Sequence, residues 1–327
     1  MMIQDSFGRI HDYLRISLTD NCNFRCFYCM PDEHYDFTPA PLLMQADEII
    51  ALAKLFVAHG VKKIRLTGGE PLVRKDAAAI ISALGQLPVE LVMTTNGSRI
   101  REMMPVLAEA GIRTINVSLD TLQEEKFLLA TRSKVYKRVR ENIDLLLDQG
   151  IAVKINTVVM KGFNEAEIND FIAWTKLTPV EIRFIEFMPF SDNRWRSDRV
   201  FSHQEILGSI GRAYTYRSIE PRLNETARRF EVPGHQGSFA IIGTMTAPFC
   251  STCNRMRLTA DGKLKNCLFS TGETDLLQAL RAGEDVLPLI ESCIRQKKEA
   301  LGGQLDQHFE QLDAGLLKNR SMITIGG

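Results

Sequence analysis

The sequence predicts an α/β protein, a partial (β/α)6 barrel followed by a smaller C-terminal α+β domain. Three observations carry this expectation. Short β-branched apolar runs alternate with amphipathic helical stretches from Asp12 to about Met188. Gly60, Gly111 and Gly150 each stand at the end of a helical stretch, where a C′ glycine stops a helix before the next strand. Beyond Pro189 the alternation gives way to mixed polar sequence with short strand-like pieces.

In order, strands are expected at 13–18, 62–66, 90–94, 114–119, 152–158 and 181–187. Helices are expected at 46–58, 77–84, 103–110, 139–147 and 168–175. Each strand–helix unit is long enough for a right-handed parallel crossover. A flat doubly wound sheet is the alternative, but its G-x-G-x-x-G turn after the first strand is absent. Further along come a helix at 203–210, strands at 238–242 and 256–259, and helices at 274–280 and 287–299. Residues 5–230 are therefore expected to form the barrel and 231–327 the second domain.

Forty Lys and Arg balance forty Asp and Glu, so the chain lacks the uncompensated basic surface that grips nucleic acid. Its apolar stretches fall short of the roughly 18–20 residues that span a bilayer. The first residues show neither a basic nor an apolar leader segment, so the expectation is a cytoplasmic protein with no membrane partner.

Seven cysteines, an odd number without a leader, argue against a disulfide framework. Cys22, Cys26 and Cys29 form C-x3-C-x2-C directly after the first strand, and Cys250, Cys253 and Cys267 form C-x2-C-x13-C. A structural zinc takes four protein ligands, and the nearest histidines, His34 and His235, repeat no zinc pattern. Three thiolates with one corner open suit a 4Fe–4S cluster. Cys293 lies in a helical stretch and reads as a small buried hydrophobe.

At the end of the second strand stands Thr67-Gly68-Gly69-Glu70-Pro71, whose glycines let backbone approach a ligand closely. Thr95, Asn96, Ser118, Asp120 and Met188 also lie at C-terminal strand ends, the catalytic face of a parallel barrel, although Thr95, Asn96 and Asp120 also suit turn or cap positions. Arg15, Arg65, Lys154 and Arg183 alternate with apolar neighbours along their strands, which directs them into the lumen. Glu186 is expected to pair with one of them, and the rest imply a polyanionic ligand held by side chains, since no P-loop is present.

The C-x3-C-x2-C motif with Tyr28 before its last cysteine resembles that of the radical S-adenosylmethionine (SAM) superfamily. With the Thr-Gly-Gly-Glu-Pro segment, the stretch from Glu181 to Met188, the second trio with Arg255-Met256-Arg257 and the terminal Gly-Gly, the chain resembles the GTP 3′,8-cyclase family almost end to end. The resemblance implies a radical SAM barrel, two 4Fe–4S clusters and SAM. Cys22, Cys26 and Cys29 would hold the cluster that binds SAM, with Tyr28, Gly69, Ser118 and Met188 around the SAM. Cys250, Cys253 and Cys267 would hold the second cluster. Arg15, Lys63, Arg65, Thr94, Lys154, Arg183, Arg255, Met256 and Arg257 would surround GTP, and Gly326 and Gly327 would have a tail role. The implied reaction converts GTP to 3′,8-cyclo-7,8-dihydro-GTP through a 5′-deoxyadenosyl radical that takes the ribose 3′ hydrogen, the first step of molybdenum cofactor biosynthesis. Implied partners are GTP, an electron donor, a downstream cyclic pyranopterin monophosphate synthase and a second copy of the chain. A radical SAM peptide maturase with an auxiliary cluster and a non-catalytic zinc- or iron–sulfur-binding regulator are the alternatives.

Overall fold

The computed structural model describes residues 2–32, 35–191, 193–305, 311–312 and 317–326. His34 and Gly327 lie outside the described residues. The barrel strands are β1 (Tyr13–Ser17), β2 (Lys63–Thr67), β3 (Glu90–Thr95), β4 (Thr114–Ser118), β5 (Ala152–Val159) and β6 (Glu181–Glu186). Six short strands follow: β7 (Arg217–Ser218), β8 (Arg228–Glu231), β9 (Ser238–Ile242), β10 (Arg255–Leu258), β11 (Lys263–Lys265) and β12 (Thr274–Asp275). The helices are α1 (Ala46–Ala58), α2 (Ala77–Gly85), α3 (Ile100–Glu109), α4 (Glu124–Thr131), α5 (Tyr136–Asp148), α6 (Ile168–Trp174), α7 (His203–Gly211), α8 (Leu276–Arg281), α9 (Leu287–Arg295) and α10 (Met322–Ile325). Helix α4 was not expected, and residues 274–275, expected to open a helix, pair as β12.

All twelve strands form one sheet in the order β12-β11-β10-β1-β2-β3-β4-β5-β6-β9-β8-β7. From β10 through β1–β6 to β9 every pairing is parallel, and the outer strands are antiparallel. Residue 230 falls inside β8, so the sheet runs unbroken across the position where the domain division was expected.

Alternation along the parallel strands sorts the side chains. Leu14, Ile16, Ile64, Leu66, Ile115, Val117, Ile182, Phe184, Met256 and Leu258 are buried in the apolar core that the helices cover. Their neighbours Arg15, Arg65, Asn116, Arg183, Arg255 and Arg257 take the opposite face and line a chamber. Strands β9 and β10 occupy opposite flanks of the parallel set and both run parallel to it. Residues 243–254 must therefore return from the C-terminal end of β9 to the N-terminal end of β10, and Cys250 and Cys253 lie on this return.

Candidate active site

The first cysteine trio sits in the loop that leaves β1, and β2 holds that loop in place. Gly69 N donates to Thr19 O and Glu70 N to Asn21 O, both at 2.8 Å. A Cβ on Gly69 would stand 2.5 Å from the carbonyl oxygens of Asp20 and Asn21, and one on Gly68 2.5 Å from that of Thr19. The paired glycines thus let the end of β2 touch the backbone leading into Cys22. Glu70, fully buried, accepts from Leu72 N (3.1 Å), Thr95 Oγ1 (2.8 Å) and Asn96 N (2.6 Å). Asn96 Nδ2 reaches on to Asn23 Oδ1 at 2.8 Å and lies 4.0 Å from Cys22 Sγ.

Cys22, Cys26 and Cys29 are half-buried, unbridged and line the chamber. Burial, with a smaller push from the Glu70 charge, raises the Cys22 thiol to about 11. Burial and the neighbouring sulfurs push Cys26 and Cys29 well above the usual thiol range. Three thiolates crowded this way need positive charge among them, which a metal cluster supplies. Among the described residues no three His, Cys, Asp or Glu side chains converge on a single ion position; the thiolates of a cube hold separate corners.

All four residues expected around SAM, Tyr28, Gly69, Ser118 and Met188, face the chamber beside this trio. The Tyr28 hydroxyl donates to Asp120 Oδ2 at 2.5 Å, and Asp120 Oδ1 accepts from Val158 N at 2.9 Å. Burial raises the Asp120 carboxyl to about 6 against these hydrogen bonds.

Of the residues expected around GTP, Arg15, Arg65, Thr94, Arg183, Arg255 and Arg257 line the chamber. Arg15 is in register with Arg65 on one side and Arg257 on the other. Arg65 Nη1 donates to Met93 O (2.9 Å) and Thr94 Oγ1 (3.1 Å), so Thr94 is tied to the cation layer. Arg255 Nε and Asn116 Oδ1 are buried with no hydrogen-bond partner among the described residues. Both atoms are at the chamber wall, where a ligand's acceptor and donor would satisfy them.

Three expected GTP residues are not in that wall. Lys63 has the right parity but stays out of the lining, bonded to Glu90 Oε1 at 2.8 Å. Lys154 likewise stays out of it, 3.5 Å from Glu181 Oε1. The Met256 side chain points the other way, into the apolar core, because it alternates with Arg255 and Arg257. The expected pairing of Glu186 is also corrected: its carboxylate accepts from the backbone N–H groups of His203, Met245 and Thr246 and from the Thr246 hydroxyl. The anion facing the cations is Glu181, which meets Arg183 (2.5 Å), Arg229 (3.1 Å) and Lys154. Although burial alone would raise it, the Arg183 and Lys154 charges hold its carboxyl down at about 2. Lys154 is itself lowered to about 8, by burial and by Arg183, because one carboxylate cannot neutralise three cations.

Cys250, Cys253 and Cys267 lie outside the chamber lining, while their neighbours Phe249, Arg255 and Leu268 are part of it. Cys250 Sγ accepts from Leu301 N at 3.3 Å, and Cys253 Sγ from the buried Lys297 Nζ at 3.5 Å. Burial raises the Cys250 thiol, whereas at Cys253 burial is outweighed by Lys297 and Arg255 and the thiol is lowered. Cys293 is buried in α9 as expected. The tail enters the same space: Met322 and Ile323 line the chamber, and Gly326 O accepts from Arg257 Nη1 at 3.1 Å. A Cβ on Gly326 (φ 82°) would stand 2.7 Å from Ser17 Cβ.

Sequence reasoning missed Tyr13, Asn116, Asn156 and Thr226, all of which face the chamber. The first three share strand parity with the cations, and that signal was available. No described helix is long and apolar enough to cross a membrane.

Comparison with known proteins agrees with this geometry. Residues 16–175 match the family described as the Radical SAM superfamily, and residues 180–302 that described as Molybdenum Cofactor Synthesis C. The chain is 44% identical to the mitochondrial GTP 3′,8-cyclase of Arabidopsis thaliana, over all of this chain and 84% of that one. It is 41% identical to the GTP 3′,8-cyclase of Rhodopirellula baltica, over 99% of this chain and 91% of the relative. Molybdenum cofactor biosynthesis protein 1 of Mus musculus is 44% identical over 99% of this chain, which spans about half (51%) of that protein's length. SuiB of Streptococcus suis, solved bound to S-adenosylmethionine, shares the fold, with a TM-score of 0.60 at 16% identity over 89% of this chain and 69% of SuiB. With cysteine loop, cation wall and these relatives in agreement, the chain belongs to the GTP 3′,8-cyclase family of the radical SAM superfamily.

Proposed function

We propose that the chain converts GTP to 3′,8-cyclo-7,8-dihydro-GTP, the first step of molybdenum cofactor biosynthesis. The observation that carries this reading is the layer Arg257–Arg15–Arg65, in register across β10, β1 and β2, facing the same chamber as the first cysteine trio. Arginines in such an array fork onto phosphate oxygens. Radical SAM membership implies one 4Fe–4S cluster, on Cys22, Cys26 and Cys29, and SAM. When bound, these supply the one-electron chemistry that removes the ribose 3′ hydrogen.

The chain's own residues orient the reactants. Tyr28, Gly69, Ser118 and Met188 would position SAM, with Asp120 fixing the Tyr28 hydroxyl. Arg15, Arg65, Arg183 and Arg257 would hold the triphosphate, Thr94 acts through Arg65, and Asn116 Oδ1 offers an acceptor to a ligand donor. Lys63 and Lys154 would add charge from outside the lining. Holding reactants in one geometry in a space shielded from water is the protein's share of catalysis.

A second 4Fe–4S cluster on Cys250, Cys253 and Cys267 belongs to the same proposal, supported by N–H donors aimed at Cys250 and Cys253 and by the cations Lys297 and Arg255 beside them. Gly326, whose carbonyl accepts from Arg257, would close the wall there, and Gly327 lies outside the described residues. The proposal further includes an external electron donor, a downstream cyclic pyranopterin monophosphate synthase and a homodimer. Seven unbridged cysteines suit the reducing cytoplasm.

Anaerobic incubation with GTP, SAM and a reductant tests the function. It is expected to release 5′-deoxyadenosine only when GTP is present and to yield a cyclised nucleotide. About eight irons per chain are expected, with about four lost on replacing either trio by alanine. GTP-independent deoxyadenosine release, with no new nucleotide, would contradict the proposal.

A further inference from the structure

Tyr13 lies at the floor of the chamber and has no part in the reading above. On β1 it is in register with Arg255 on β10 and Lys63 on β2. Arg65 Nε donates to its phenol oxygen at 2.5 Å. Lys63 Nζ and the Arg255 guanidinium each lie 5.6 Å from its ring centroid. Arg15 shares its face two residues on, with Arg257 beside Arg15. Glu90 on β3 pairs with Lys63, Glu181 on β6 serves Arg183, Arg229 and Lys154, and Asp12, next to Tyr13 in the chain, accepts from Asn254 Nδ2 at 2.5 Å.

We propose that Tyr13 is a positioning residue for polyphosphate: its phenol oxygen holds the floor cations before nucleotide arrives, and it takes up a proton when the phosphates become their counter-charge. This rests on the nucleotide reading above and deepens it.

Burial alone would raise the Tyr13 phenol, but Arg65, Arg15 and Arg255 outweigh burial and hold it at about 7. Above that pH the oxygen is an anion competing with phosphate for the same guanidinium groups. A bound triphosphate neutralises those groups and returns the phenol toward its ordinary value of about 10. The bound state then carries more protons than the free state, so affinity falls as pH rises above about 7, by up to about tenfold per pH unit. Tyr13→Phe keeps the ring faces beneath Lys63 and Arg255 and removes only the oxygen.

The test is calorimetric titration of the anaerobic holoenzyme, without SAM or reductant, with GTP and separately with inorganic tripolyphosphate. Protons are counted from buffers of different ionisation enthalpy at pH 6 and pH 8. At pH 8 the wild type is expected to take up about one proton more than Tyr13→Phe with either ligand, the difference shrinking toward zero at pH 6. Tyr13→Leu replaces Tyr13→Phe should the latter not fold, and wild-type binding at pH 8 without proton uptake is enough to overturn the idea. Equal proton counts in wild type and variant also overturn it. An uptake difference with tripolyphosphate alone, GTP failing to bind, upholds Tyr13 and removes the GTP reading. Binding of neither anion overturns the Tyr13 proposal.

Discussion

Glu181 shows how one residue sets the charge of the chamber. It is shared by Arg183, Lys154 and Arg229, so the wall keeps a net positive charge for a ligand to meet. Its carboxyl is depressed from the ordinary 4.5 to about 2, so it contributes stability that is fully present above about 4.5 and lost as pH falls through about 2. Glu181→Gln is therefore expected to lose the part of the acid-unfolding response between those values. Thermal melts across that window check it, and an unchanged pH profile would contradict it. At this scale, parity along the strands correctly turned Arg15, Arg65 and Arg183 inward, because a strand side chain has two directions to choose between. Engagement was not legible: Lys63 and Lys154 have inward parity yet are held by Glu90 and Glu181 and stay out of the lining, because the pairing carboxylate comes from a neighbouring strand. Tyr13 was passed over because an aromatic in a strand is ordinary β composition.

Among elements, the helices with clear periodicity and a stopping glycine were readable from sequence. Gly60, Gly111 and Gly150 all have positive φ at the helix ends where they were expected. Helix α4 gave neither signal. Its apolar residues Phe127, Leu128 and Leu129 run consecutively instead of at helical spacing, and the left-handed residue at its end is Arg132 (φ 54°), not glycine. Helix α7 carries a full capping box, Ser202 with Glu205, and was found within a residue. The contact between the cysteine loop and the end of β2 yields a prediction of its own. Gly69→Ala puts a methyl against the carbonyls of Asp20 and Asn21, where backbone must move. The expected outcome is loss of about four irons, those of the first trio, with the fold and the second trio's iron retained. Full iron content with normal SAM cleavage in this variant would show that the loop tolerates displacement.

Over the whole molecule, sequence order and spatial order part company. The expected division at residue 230 follows a real change in pattern, but the later strands β9 and β10 pair with β6 and β1, so they flank the six barrel strands on both sides. The β1–β10 pairing joins residues more than 200 positions apart, as Tyr13 with Arg255, and no local pattern announces it. A chain ending at residue 230 would expose the edges of β1 and β6, invitations to strand pairing with other molecules. It is expected to aggregate, while the full chain unfolds in one cooperative transition. A monodisperse, folded 1–230 fragment by light scattering and circular dichroism would instead establish the barrel as an independent domain.

The fate of one hydrogen tests the central claim most directly. GTP deuterated at the ribose 3′ position is incubated anaerobically with the protein, SAM and a reductant, and the released 5′-deoxyadenosine is weighed by mass spectrometry. The chamber geometry, with the residues proposed for SAM and those proposed for the triphosphate facing one space, predicts that the deoxyadenosine carries the label. Deoxyadenosine released without deuterium, while GTP is consumed, would contradict it.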